Sequence, residues 1–130
     1  MAAGFSGPPL AREFGLRDGM RVWFDALPSA VADEIDEYAL DLTFVANPAH
    51  GIDTALFFAD DSHALVERIK SLRNQIQPDG TVWACWSAAS SLDGDQVTTA
   101  AEPLGYFVSR TLDLKTAGTA IKLVIRKDLR

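Results

Sequence analysis

The sequence predicts a three-layer α/β fold: a mostly parallel sheet covered by helices and ended by an antiparallel hairpin. Three observations lead there. Short apolar, β-prone runs alternate with segments of helical period, which is the pattern of βαβ units and right-handed crossovers. The last two β-like runs are joined by a turn too short for a parallel crossover. The 130 residues, 48% apolar and 23% charged, suit one core and one domain. The expected organisation is a single domain over 1–130, with an N-terminal arm or lid at 1–19 and an α/β core at 20–130.

The elements follow in order. Residues 9–14 are compatible with a short helix closed by Gly15. Residues 20–25 read as a strand covered on both faces, because Val22, Trp23 and Phe24 are consecutive apolar residues. Pro28 and Ser29 open a helix in which Val31, Ile35 and Tyr38 share one side while Asp33, Glu34, Asp36 and Glu37 form a solvated face. Residues 42–46 form a second short strand, 47–51 a loop, and 54–59 a third strand. Leu65, Ile69, Leu72 and Ile76 lie on one helical stripe, with Asp60, Asp61 and Ser62 available to cap its start. Pro78, Asp79 and Gly80 make a turn in which glycine supplies a positive φ, and 81–86 is the fourth strand. A third helix over about 95–102 buries Val97, Ala100 and Ala101. Residues 106–114 and 120–127 then pair across a turn at 115–119.

Composition excludes several functions. A net charge of −6 argues against nonspecific nucleic-acid binding, which depends on lysine and arginine neutralising phosphates. Lys122, Arg126, Lys127 and Arg130 are a local exception, expected to solvate an edge strand. No run reaches the ~18 apolar residues of a membrane span, and Gly4, Ser6, Gly7, Pro8, Pro9, Arg12 and Glu13 interrupt any signal-peptide core. A cytoplasmic address without membrane contact is therefore expected. Cys85 is the lone cysteine, which rules out an intrachain disulfide and a thiolate metal cluster.

The layout resembles the class I S-adenosylmethionine-dependent methyltransferase fold, a Rossmann-like fold whose sheet ends in one antiparallel strand. Gln77, Pro78, Asp79, Gly80, Thr81, Val82 and Trp83 look like the turn into that family's fifth strand, and Leu104, Gly105 and Tyr106 precede the hairpin as they do there. The resemblance places the Trp83 strand centrally and the last strand between its neighbours. It stops at the cofactor loop. Asp25 matches the acid that closes strand one, but Leu27 and Ser29 stand where the family carries its cradling glycines. Ala46 and Asn47 stand where it carries a ribose-binding acid, and one helix and strand are missing between 47 and 52.

The chain is also similar to a family of short bacterial proteins of no established activity. The pattern is Phe5, Ser6, Gly7, Pro8, Pro9 and Leu10, then Gly15, Leu16, Gly19 and Met20, with Lys122, Leu123 and Val124 near the end. Where that family carries a tryptophan, a proline and two lysines after the fourth strand, this chain has Trp86, Ser87, Ala88 and Ala89.

In open parallel sheets ligands bind beyond the carboxyl ends of the strands. The candidate pocket is therefore Asp25, Leu27, Asn47, Asp60, Asp61, His63, Trp86 and Ser87. Asp60, Asp61 and His63 are either an acid/base or weak metal constellation or, as expected, a helix cap with His63 in the solvated first turn. His50 reads as a loop histidine and Cys85 as a buried, inert thiol. Trp83 and Trp86 face opposite sides, one in the core and the other free to line a pocket. Arg110, on the face of Val108 and Leu112, either packs its stem or answers a carboxylate such as Asp113 or one from the acidic helix. No cofactor, metal or catalytic residue is expected. The main expectation is a non-catalytic module binding an unknown small molecule or protein partner. The alternative is a methyltransferase-like group-transfer enzyme at the strand-edge cleft. The unpartnered strand around Val45 suggests a homodimer.

Overall fold

The structure, a computed structural model, describes residues 9–47 and 51–130. Helix α1 (Leu10–Glu13) leads into β1 (Arg21–Asp25), α2 (Ser29–Glu37) and β2 (Thr43–Phe44). After these come β3 (Ile52–Phe58), α3 (Ser62–Leu72), β4 (Ile76–Trp86) and α4 (Gly94–Ala101), then the hairpin of β5 (Tyr106–Asp113) and β6 (Thr119–Ile125). The strands form one six-stranded sheet in the order β2-β1-β3-β4-β6-β5. β2, β1, β3 and β4 run parallel, and β6 runs antiparallel between β4 and β5. This is the expected α/β architecture, with the Trp83 strand inside the sheet and the last strand flanked on both sides.

Two cores cover the two faces, and strand periodicity assigns residues to them. Along β4, Val82, Ala84 and Trp86 join the core under α3 and α4, whereas Trp83 and Cys85 join the core under α1 and α2. β3 alternates the same way, Ala55 and Phe57 against Leu56. Glycine is required at Gly118, where φ is +129° and an added Cβ would overlap the Trp86 carbonyl oxygen and lie 2.8 Å from Ser87 Cα. The hairpin turn thus sits directly on the end of β4.

Several boundaries and roles differ from the sequence expectation. The described part of the N-terminal segment is core instead of an arm or lid. Leu10, Ala11, Phe14 and Leu16 are buried, Phe14 meets Trp83 edge-on at 5.1 Å, and Trp83 Nε1 donates to Phe14 O at 3.0 Å. α3 ends at Leu72, and Ile76 opens β4 opposite Ile52, because a β-branched apolar residue fits either a helical stripe or a strand. Gly80 makes no positive-φ turn. It lies in an irregularity of β4, where a Cβ would come within 3.0 Å of Gln77 O and 3.1 Å of both Ile52 O and Asp53 O.

β5 carries a bulge between Val108 and Arg110, which shifts everything after it to the other face. Val108 accordingly packs on one core and Leu112 on the other, and Arg110 reaches Glu13 at 3.3 Å instead of Asp113. Lys122 lies on an inner strand, so it solvates no edge. His50 and residues 5–8 of the N-terminal pattern lie outside the described residues.

Candidate functional site

The carboxyl ends of β1, β3 and β4 meet at one edge, with Asp25 in register with Phe57 and Phe58 with Cys85. Of the candidate residues, Asp25, Asp60 and Asp61 each commit one carboxylate oxygen to a structural contact. Asp25 Oδ2 lies 3.4 Å from Arg68 Nη2, and the Arg68 guanidinium stacks 4.7 Å over the Trp23 ring. Asp60 Oδ1 accepts from Ser87 N at 2.8 Å, while the Asp60 carbonyl accepts from Ser90 Oγ at 2.8 Å. Those two bonds fasten the loop after β4 across the end of β3. Asp61 is the N-cap of α3, its Oδ1 accepting from His63 N at 2.7 Å and Ala64 N at 3.4 Å. His63 is exposed in the first turn, as the capping alternative requires. Among the described residues no three histidine, cysteine or carboxylate side chains are grouped as a metal site.

Trp86 does not line a cleft. It is 5% exposed and packed in the core under α3 and α4, where Leu92 joins it, so both tryptophans of β4 are core residues. Asn47 is exposed beyond β2. Cys85 is buried, and burial pushes its thiol well above its ordinary range, which fits an inert side chain. Sequence reasoning missed Arg68, because its contact with Asp25 spans 43 positions and leaves no local pattern.

The turn after β1 decides what this edge can hold. Ala26 has φ +58°, the left-handed conformation that favours glycine, one position earlier than the sequence alignment placed it. Leu27 follows with its side chain half-buried against the core under α2, and Pro28 starts that helix without a backbone donor. A 490 Å³ concavity opens toward the opposite end of the sheet, lined by Met20 before β1, Thr54 of β3 and Gly80 and Thr81 of β4, beside Arg17 and Lys122. None of the eight candidate residues lines it.

Strand order, the flanking helices and the antiparallel β6 together define a Rossmann-like, methyltransferase-like α/β fold. Among solved structures, the chain is similar to the pyocyanin biosynthetic protein PhzM (TM-score 0.61, 13% identity, covering 90% of this chain and 53% of that one). It is similar also to TrmN from Thermus thermophilus (TM-score 0.61, 14% identity, 90% and 47%). A third is a TehB-like SAM-dependent methyltransferase from Corynebacterium glutamicum (TM-score 0.58, 10% identity, 97% and 91%). The chain spans about half the length of the first two. At these identities the likeness concerns the fold alone. No family model and no curated protein matches the sequence.

S-adenosylmethionine, the cofactor this fold family implies, does not fit the residues present. Its approach needs a bare backbone after strand one, and here Leu27 carries a half-buried side chain, Pro28 has no backbone donor and Arg68 lies 3.4 Å from the Asp25 carboxylate. No helix among the described residues is long and apolar enough to cross a membrane.

Proposed function

We propose that this chain is a non-catalytic binding module on a methyltransferase-like scaffold, taking a small molecule or a protein partner without methyl transfer. The observation that carries this reading is the turn of Ala26, Leu27 and Pro28, which presents a half-buried leucine and a proline without an N–H where the fold family has its glycine turn. The contacts of Asp25 with Arg68, of Asp60 with Ser87 and of Asp61 with the start of α3 support it, because each gives the carboxylate a structural reason to stand at this edge. The concavity at the amino ends of the strands is the place for a small ligand. The reading includes a cytoplasmic, bacterial setting within the short-protein family that the sequence resembles. It also includes a homodimer through the outer side of β2, where Phe44 is 58% exposed.

A second reading, a group-transfer enzyme acting at the strand edge, is favoured by fold neighbours described as SAM-dependent methyltransferases. Thermal unfolding with and without S-adenosylmethionine and its demethylated product separates the two. A ligand present at 100 times its Kd stabilises by about 2.7 kcal/mol, a Tm rise on the order of 10 °C for a domain of this size. The binding-module reading expects a flat titration with both compounds. A saturable rise with either one restores the enzyme reading.

A further inference from the structure

The acidic helix α2 is not uniformly a solvated face. Asp33, Asp36 and Glu37 are exposed, but Glu34 is only 8% exposed, and its Oε1 is shielded from solvent with no hydrogen-bond partner among the described residues. A carboxylate oxygen removed from water without a donor is a costly arrangement, relieved only when a donor arrives. Glu34 lines a small cavity of about 180 Å³ together with Glu37, Tyr38 and Pro9. Among the described residues the arginines and lysines that form ion pairs turn elsewhere: Arg68 to Asp25, Arg110 to Glu13, Lys115 to Asp113 and Arg126 to Asp128. The last turn of α2 carries no basic residue, so the negative end of the helix dipole adds to the two carboxylates.

We propose that this cavity is a recognition site for an organic cation bearing N–H donors, a guanidinium or a primary ammonium group. On binding, the Glu34 carboxylate turns so that Oε1, closed to solvent in the free chain, accepts from an N–H of the cation, which also pairs with the Glu37 carboxylate and lies against the Tyr38 ring. The chemistry favours N–H donors over a metal ion. A hard divalent cation seeks about six oxygen ligands, whereas two carboxylates and a phenol suit the planar fork of a guanidinium. The volume is several times that of one water, enough for such a head group and little more. Tyr38 also borders a second concavity of about 450 Å³ with Arg12 and Arg17 on its wall. A carboxylate carried by the same ligand would face these two cations.

The test is an amide NMR titration of the intact chain with agmatine, a guanidinium without a carboxylate. N-acetyl-arginine amide, in a second arm, mimics an arginine of a partner protein. The expected result is saturable shifts at Glu34, Glu37 and Tyr38 that sodium chloride at equal ionic strength does not reproduce. Glu34→Gln should weaken binding at least tenfold. Glu37→Gln, at an exposed position, should weaken it several-fold. Binding of both probes assigns the site to arginine side chains as well as free amines, and binding of agmatine alone restricts it to small molecules. Shifts that match the salt control, or affinities unchanged in both glutamine variants, overturn the proposal.

Discussion

The two flanks of the sheet are built to very different depths. On one, β4 pairs with β6 from Thr81 and Val124 through to Trp86 and Thr119, and β6 pairs along nearly all of β5. On the other, β1 pairs with β2 only at Arg21 with Thr43 and Val22 with Phe44, and both β2 residues are exposed. The complete flank carries the two tryptophans of β4 and the Gly118 contact. The reduced flank is the one in which the resemblance to methyltransferases puts the glycine turn and the ribose acid. This scaffold thus keeps both cores while its β2 edge is reduced to two paired residues. The turn after β1 lies on the same flank, and there Leu27 packs half-buried against the core under α2.

The contrast can be broken most forcefully at Trp83. Trp83→Ala removes a fully buried ring, its edge contact with Phe14 and the donor to Phe14 O. Urea unfolding should show a loss of about 3–5 kcal/mol, and a loss below 1 kcal/mol would mean that this flank is not the stabilising one.

Alkaline pH provides the next largest effect. Burial raises both the Cys85 thiol and the Tyr106 phenol, the latter with Arg73 opposing, and the phenol donates to Ile69 O at 2.6 Å. Groups raised in the folded state keep their stabilisation below the unfolded pKa and lose it as pH rises toward the folded one. Stability should thus be flat with respect to these groups up to about pH 8.5. Above that, each group contributes a fall of up to about 1.4 kcal/mol per pH unit, the thiol first and the phenol from about pH 10. Denaturant midpoints measured from pH 7 to 10.5 check this. Cys85→Ala should remove the earlier slope and leave the later one.

Smaller effects belong to the reduced flank. Ala26→Gly relieves a left-handed alanine, and the chain should become more stable by about 0.5–1 kcal/mol in the same assay. Phe44→Ser should change the stability of a single chain by less than about 0.5 kcal/mol, since the residue is 58% exposed and its ring meets Phe24 edge-on at 5.4 Å. If β2 is the dimer contact, sedimentation at micromolar concentration should nonetheless shift to a single 14.1 kDa species in that variant.

Much of the fold was legible because its signals are local. The periodicity of Leu65, Ile69 and Leu72, the cap at Asp61 and the short hairpin connection each lie within a few residues, and each survives in the structure. Bulges were not legible, because an inserted strand residue such as Ser109 carries no mark of its own. Ile76 failed for a related reason, its stripe continuing past the true end of the helix. At the site, the gathering of strand ends followed from topology. What occupies their polar atoms depended on contacts far apart in sequence, Asp25 with Arg68 and Asp60 with Ser87 and Ser90, and no spacing rule reaches them. Glu34 looked like its acidic neighbours, and only burial sets it apart.

Native-state amide hydrogen exchange, with and without saturating S-adenosylmethionine, tests the central claim most directly. The amides of Val82, Trp83, Ala84, Ile121 and Leu123 should exchange only through global unfolding. Those of Thr43 and Val45, bonded to Met20 O and Val22 O at the thin edge, should exchange faster by orders of magnitude. The cofactor should leave every rate unchanged. Protection gained at Ala26, Leu27 and Ser29 on adding it, or equal protection across both flanks without it, would contradict the account.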